Sequence, residues 1–483
     1  MNLKKIIQNA SYLFAGNISI RLLSAISIIL LARYLGPEEY GIFSIAIAIS
    51  TIAGYFTDAG LSNTFMREVT KKDAVISELI SSYFRVRIVF GVLATLFAYL
   101  FINYFYNDSN LIIVINWIVY PTIIGMTFMG VGISFFQAKE RMGLSTLITV
   151  IQGIISATSI LMGIILHWPL IFVIKLYAGS FIVAGIISIL MVLRFSTLHK
   201  GWNKSLLDQL FIFTINGIIV IMLPQLGPII LEKVSTLSDV GYFSTAYKIP
   251  AVLYQVPGVI ATAFYPRLFN YGNNLDYVSH RELSKIELKV MSFIGIGIAI
   301  PFIVDPQFWI ISLLGKEWIK ASSALAFLSF IVIFQSINFP LGDYLTTRNQ
   351  QAKRTLVMIL GLIVSIISYI TLGKNYGLMG GAISAIITEV TLLIGYSLFI
   401  NKSISFLFIS VRYNLLSFIF SLILYRFLSN SFPLLSITLV FFFYGGMVLL
   451  FDRELFKSLK VFLANKKKNK VTNNQTIRSD GNK

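Results

Sequence analysis

Apolar runs of around 20 residues recur along this chain from residue 9 to residue 452, and each can cross a hydrocarbon core roughly 30 Å thick. A soluble core has no need of so many. The runs are continuous instead of alternating, and lipid forces the backbone to satisfy its own hydrogen bonds, so they read as helices and not as barrel strands. The spans expected are 9–33, 40–60, 82–106, 111–137, 144–166, 169–194, 209–231, 240–265, 288–314, 321–347, 355–373, 378–400, 403–428 and 432–452, about 14 in all. Composition agrees, with 56% hydrophobic and 12% charged residues, about half the charged share of soluble domains. The longest polar gaps, 195–208 and 266–289, leave no room for a separate catalytic domain. Lys4 and Lys5 precede the first run as in a secretory signal, but residues 9–33 exceed a typical signal core and lack a small-residue cleavage site, so an uncleaved first span is expected.

A formal charge of +18 would point to nucleic acid in a soluble protein. Topology explains it here without a nucleic-acid partner. Most of the 39 Lys and Arg fall on the side of the N-terminus, whereas the other side receives only Arg33, Lys233, Lys316, Lys320, Lys374 and Arg426. The positive-inside rule then places both termini in the cytoplasm of a plasma-membrane protein, with residues 453–483 as a basic, disordered tail near anionic lipid. There is no Cys, which excludes disulfides and thiolate sites. His167, His199 and His280 are too scattered to suggest a metal, and no phosphate-binding loop or catalytic triad is found, so a transporter without a cofactor is expected and not an enzyme.

The stretch "LARYLGPEEYGIFSIA" at 31–46 breaks two oily runs. Gly36 and Pro37 end one helix, and Glu38 and Glu39 suit the positive start of the next. A cousin, "LEKVSTLSDVGYFSTA", begins 200 residues later. In that register Leu31/Leu231, Gly41/Gly241, Phe43/Phe243, Ser44/Ser244, Ala46/Ala246 and Arg67/Arg267 are identical, and Arg33/Lys233, Glu39/Asp239 and Arg85/Lys285 keep their charge. The shift covers six spans, an even number, so the two copies share one orientation. The expected fold is therefore an all-α integral membrane protein of two six-helix lobes, 1–200 and 201–402, related by a parallel pseudo-two-fold, with two additional spans at 403–452.

These motifs, with "DAGLSNTFMREVTKK" from Asp58, "YPRLFNYG" from Tyr265 and "YGLMGGAISA" from Tyr376, resemble the polysaccharide biosynthesis and export proteins of the Wzx flippase type, in the superfamily that also holds MATE extruders and lipid II flippases. The similarity runs along nearly all of residues 5–450; Arg33, Gly36, Pro37, Gly41, Arg67 and Arg267 belong to its motifs. The resemblance implies a two-lobed helical bundle with a central cavity. It also implies transfer of an isoprenoid-diphosphate-linked oligosaccharide from the inner to the outer leaflet by alternating access, with membrane lipids and other polysaccharide-assembly proteins as further partners.

Three cations fall within the expected spans: Arg21, Lys175 and Lys248. A charge at a helix centre costs about 2.5–3.5 kcal/mol on insertion scales, so it normally faces protein or a wet cavity. Arg21 shares a helical face with Asn17 and Ser24, and Lys248 lines up with Ser244 and Gln255; Lys175 lies near a helix end and can instead snorkel. Arg21 and Lys248 are expected to meet the diphosphate from the two lobes, the alternative being structural ion pairs. Asn116, Tyr120, Thr127 and Ser134, and separately Gln335, Asn338 and Gly342, form polar stripes that either bind sugar hydroxyls or join helices. Glu389 lies deep in its span, to be protonated, paired with a cation, or used to couple H⁺ or Na⁺; Asp58, near a helix end, is the second coupling candidate. A MATE-like cation-coupled exporter of drugs or small molecules is the alternative function, and cations at cavity depth count against it.

Overall fold

The computed structural model describes residues 3–71, 75–196, 202–208, 210–428 and 432–456, and within helices it leaves aside the side chains of 3–22, 212, 213, 216, 254–256, 258, 259, 262 and 263. Among the described residues every regular element is a helix. In chain order these are α1 (Leu3–Phe56), α2 (Leu61–Val69), α3 (Ile76–Phe105), α4 (Ser109–Ala138), α5 (Met142–Ile165), α6 (Leu170–Phe195) and α7 (Leu210–Val234). There follow α8 (Leu237–Asn273), α9 (Tyr277–Val304), α10 (Pro306–Leu314), α11 (Ala321–Thr346), α12 (Gln351–Leu398), α13 (Ser403–Leu428) and α14 (Pro433–Phe451), with short 3₁₀ turns at Lys204–Leu207 and Lys316–Trp318. Eleven helical stretches among the described residues are long and apolar enough to cross a membrane.

Two helices are too long to be single spans. The 54 residues of α1 would run about 80 Å if straight, against a core of roughly 30 Å. The helix breaks at Gly36 (φ 77°, ψ 175°), a left-handed φ that glycine adopts without a Cβ penalty, and Pro37 opens the second arm, where its missing N–H is not needed. This is the turn expected within residues 31–46. The 48 residues of α12 break likewise at Gly377 (φ 51°, ψ −124°), inside the expected gap between 373 and 378.

The described chain packs into two compact units. The first holds the described residues within 1–252, 309–324 and 358–388; the second holds those within 253–308, 325–357 and 389–483. This grouping differs from the expected lobes of 1–200 and 201–402, because α8 and α12 each contribute to both units. In the first unit Leu61, Phe65, Tyr83, Met129, Phe135, Phe136, Ile148 and Val192 form one continuous apolar core. In the second, α13 and α14 dock on α9: Asn414 Nδ2 donates to the Lys289 carbonyl (3.1 Å) and Ser292 Oγ (2.8 Å), and Tyr444 OH donates to the Phe293 carbonyl (3.1 Å).

Residues 266–289, expected as a polar gap, are mostly helical. The helix α8 continues to Asn273, and α9 starts at Tyr277 behind an N-cap, Asp276, whose carboxylate accepts from the Ser279 amide (3.0 Å). At its other end α9 stops at Val304 and not at 314, because Asp305 caps a new helix that opens on Pro306 and accepts from the Phe308 amide (2.9 Å).

Candidate functional site

In the first unit the site begins where the second arm of α1 meets the start of α8. A Cβ on Gly41 would overlap the Leu237 carbonyl, and a Cβ on Gly241 would overlap the Pro37 carbonyl, so both glycines are needed for this close approach. About two turns, roughly 10 Å, beyond Gly241 on α8 stands Lys248. It is half-buried, its Nζ donates to Tyr40 OH (3.2 Å), and its ammonium lies 5.3 Å from the Tyr40 ring centroid and 6.0 Å from that of Phe43. Trp318 stands edge-on to Tyr40 (5.8 Å) and to Tyr242 (5.7 Å), fixing the wall behind it. Among the described residues no carboxylate pairs with Lys248, so its charge is met only by a phenol and ring faces. Such a cation is set to take an anionic group.

Other expected site residues lie elsewhere or outside the description. The side chains of Arg21 and Asn17 are outside the described residues. Ser24 is half-buried on α1. Lys175 is exposed, with its ammonium 4.3 Å above the ring of Trp117 on α4, a contact with an exposed aromatic face of the kind the snorkelling alternative describes. Among the motif residues, Arg33 and Arg267 are exposed. Arg67 ties α2 to the segment before α7, donating to Glu68 Oε1 (3.0 Å) and to the carbonyls of Ser205 (3.3 Å) and Asp208 (3.1 Å).

Asp58 is not a free coupling group. Arg87 Nη1 donates to Asp58 Oδ1 (2.6 Å) and to Tyr83 OH (2.9 Å), while the other guanidinium nitrogens donate to the carbonyls of Thr127 (3.0 Å) and Met126 (2.8 Å) and to Thr57 Oγ1 (3.2 Å). Every arm of the fork is taken, so a buried guanidinium and a partly buried carboxylate form a structural clamp. Ser134 of the expected α4 stripe joins it through Tyr83 OH (2.8 Å), whereas Asn116 and Tyr120 line an apolar cavity of about 640 Å³ between α3 and α4.

In the second unit the stripe on α11 meets Glu389, which is 9% exposed. Gln335 Nε2 donates to Oε1 (2.8 Å), and Asn338 Nδ2 donates to Oε2 (2.8 Å) and to the Glu389 carbonyl (2.9 Å). Of the three alternatives for Glu389, pairing with a cation is not what the described residues present: two amides bond the carboxyl without cancelling any charge it carries. No three His, Asp or Glu converge as metal ligands among the described residues.

Three buried charges escaped sequence reasoning. Arg87 and Lys289 sit about three turns into α3 and α9, but the expected spans begin only at 82 and 288, which makes both look like cations at a loop end; Lys289 in fact pairs with Asp452 (3.0 Å) and Glu454 (2.7 Å). Glu287, fully buried on α9, was hidden by the same late start. The Asp276-x-x-Ser279 cap is the signal that marks where α9 begins.

The model of the family described as polysaccharide biosynthesis protein matches residues 6–271. The chain is 25% identical over 400 residues to a putative O-antigen transporter of Escherichia coli (strain K12), covering 79% of this chain and 93% of that one. It is 22% identical over 410 residues to the capsular polysaccharide biosynthesis protein CapF of Staphylococcus aureus, covering 82% and 99%. Among solved structures its fold is similar to the lipid II flippase MurJ in an inward closed conformation, with TM-score 0.73 and 16% identity over 92% of this chain and 99% of the other. It is also similar to an inward-facing MATE multidrug transporter of the MOP superfamily, with TM-score 0.66 and 12% identity over 80% and 95%.

Proposed function

Because the chain belongs to the polysaccharide biosynthesis protein family, we propose that it is a flippase that carries an isoprenoid-diphosphate-linked oligosaccharide from the cytoplasmic to the outer leaflet for surface-glycan assembly. The observation that carries this reading is Lys248, a half-buried ammonium held by Tyr40 and aromatic faces with no carboxylate partner among the described residues. A lone cation in that setting gains most from a mobile anion, and a diphosphate head supplies one. Arg21 is its proposed companion, with Asn17 and Ser24 on the same helical face. Transport proceeds by alternating access between lobes 1–200 and 201–402, with both termini in the cytoplasm. The reciprocal contacts of Gly41 with Leu237 and of Gly241 with Pro37, each 200 positions from the other, support that repeat. Glu389 is the proposed coupling carboxyl, with H⁺ or Na⁺ as its ion.

Deletion of the protein tests the reading. A lipid-linked saccharide accumulating on the inner leaflet, cleared by the wild type but not by Lys248→Ala expressed at equal level, is the expected result. The likeness to MATE transporters favours a second reading, export of a small cationic compound. That reading predicts altered drug sensitivity in the deletion strain and no stalled glycolipid.

A further inference from the structure

In the second unit α9 and α11 lie against each other in opposite directions. His280 Nε2 and Thr347 Oγ1 are 2.7 Å apart at one end, and a Cβ on Gly295 would come 3.1 Å from the Val332 carbonyl at the other. That register sets Ser284 level with Asp343, and Glu287 level with Pro340. Pro340 has no N–H, so the Ser336 carbonyl one turn earlier lacks its helical donor.

Glu287 is 0% exposed, and neither of its carboxyl oxygens has a hydrogen-bond partner. Ser284 Oγ, Asn338 Oδ1 and Asp343 Oδ2 are likewise buried without partners among the described residues, so the contact is rich in oxygen, and of these three atoms only the Ser284 hydroxyl can also donate. The ionisable groups acting here are Asp343 on α11, Tyr265 on α8 and His280 on α9 itself. Arg354 of α12 lies 3.7 Å from Asp343 Oδ1, which favours Asp343 over Glu287 as the charged member of the pair. Lys289, two residues from Glu287, is taken up by Asp452 and Glu454, while α13 and α14 present Asn414 and Tyr444 to α9. Among the described residues Glu287 therefore has an acidic side chain on the facing helix, no cation of its own, and no hydrogen bond made to either carboxyl oxygen. A carboxyl in that position is neutralised from outside or not stable there.

We propose that Glu287 is a proton-binding group: it holds a proton on its carboxyl while α9 and α11 are closed, and surrenders it to water when the contact opens. A proton fits better than a metal cation because Arg354 already places a positive charge beside Asp343 and a proton needs no further ligands. Release breaks one O–H bond and leaves a carboxylate next to Asp343, so the charged pair opposes reclosure until Glu287 is reprotonated. The proposal leans on the flippase reading only for what such a cycle drives. The group is distinct from Glu389, which two amides already hold.

The test uses the full chain in nanodiscs and needs no glycan. Infrared difference spectra of wild type against Glu287→Gln are expected to lose a protonated-carboxyl C=O band at neutral pH; loss of a carboxylate band instead overturns the proposal. Dicyclohexylcarbodiimide, which attacks protonated carboxyls in apolar sites, is expected to modify the wild-type peptide containing Glu287. Labelling should fall about tenfold for each pH unit beyond its midpoint. Absence of labelling at every pH, or its suppression by NaCl at constant pH, refutes a proton site, the second outcome pointing to Na⁺. The labelling stands on the wild type alone even where the Gln variant misfolds, and neither readout depends on which substrate is moved.

Discussion

Gly41 and Gly241, 200 residues apart in the chain, face the same helix crossing: an ideal Cβ on Gly41 would sit 3.2 Å from the Gly241 amide nitrogen while also overlapping the Leu237 carbonyl, and one on Gly241 would overlap the Pro37 carbonyl. Backbone, unlike a long side chain, has little freedom to give way. Gly41→Ala and Gly241→Ala should each force the two helices apart and cost about 1–3 kcal/mol, the usual range for overpacking. Thermal midpoints of the purified variants measure this. Losses of similar size at the two positions are expected from a repeated interface, and a neutral Gly41→Ala beside a damaging Gly241→Ala would argue against it.

Arg87 and Asp58 make the second case, since removal of one partner strands the other. Arg87→Ala should cost about 3–5 kcal/mol by leaving a partly buried carboxylate unpaired, and much of that should return in Arg87→Ala/Asp58→Ala. The yield of monodisperse protein after detergent extraction reports the difference. A double variant as poor as the single one would mean that the Thr127 and Met126 carbonyls, not Asp58, are what Arg87 chiefly serves.

The two cases differ in how far they could be read from residues alone. Gly36–Pro37 announces a break in any helix, and the recurrence of Gly41 as Gly241 marks a site where side chains are unwelcome, so the crossing was visible as a pattern before it was visible as a contact. Arg87 was not. Near the expected start of a span at residue 82, a solvated cation and a buried one have the same local sequence, and only the arrival of Asp58, from 29 positions away, tells them apart. The stripe of Gln335 and Asn338 was legible as polar, but its purpose depended on Glu389, 51 positions beyond Asn338.

Asp276 gives a pH dependence confined to one helix end. Hydrogen bonds from the side chain and amide of Ser279 hold its carboxyl below the usual Asp range. A depressed carboxyl contributes stability that is present above its unfolded value of about 3.9 and is lost as pH falls through the folded value. Amide exchange in the first turn of α9 should therefore quicken, relative to the middle of that helix, only under acid conditions. Asp276→Asn, which keeps the capping oxygen but not the titration, should flatten the response; an unchanged acid response in that variant would remove Asp276 as its cause.

Lys248→Ala should lower flipping by about 10–100-fold, the equivalent of a lost charge-assisted contact of about 1.5–3 kcal/mol, without harming the fold. Lys248→Arg should retain most activity because the charge persists, whereas Lys248→Met keeps the apolar stem and should fail like Ala. Initial rates of lipid-linked saccharide transfer in proteoliposomes distinguish these. Equal rates for Lys and Met would show that the apolar stem, and not the ammonium that Tyr40 contacts, is what matters.

Glu389 is the sharpest test of coupling because its two amide partners each demand an acceptor oxygen from any substitute. Gln keeps the shape but offers one acceptor oxygen where the carboxylate offered two, so either Gln335 or Asn338 loses its acceptor at a cost of about 1–3 kcal/mol. Asn338→Ala removes the donor to Oε2 and leaves the carboxyl chemistry in place. If Glu389 carries the coupling ion, Glu389→Gln should abolish counterflow driven by an H⁺ or Na⁺ gradient while substrate still binds, and Asn338→Ala should slow counterflow and shift its ion dependence without abolishing it. If the carboxyl serves only to join α11 to α12, both variants should lose thermal stability together and any folded fraction of Glu389→Gln should transport normally. Counterflow in vesicles, normalised to folded protein, separates the two outcomes.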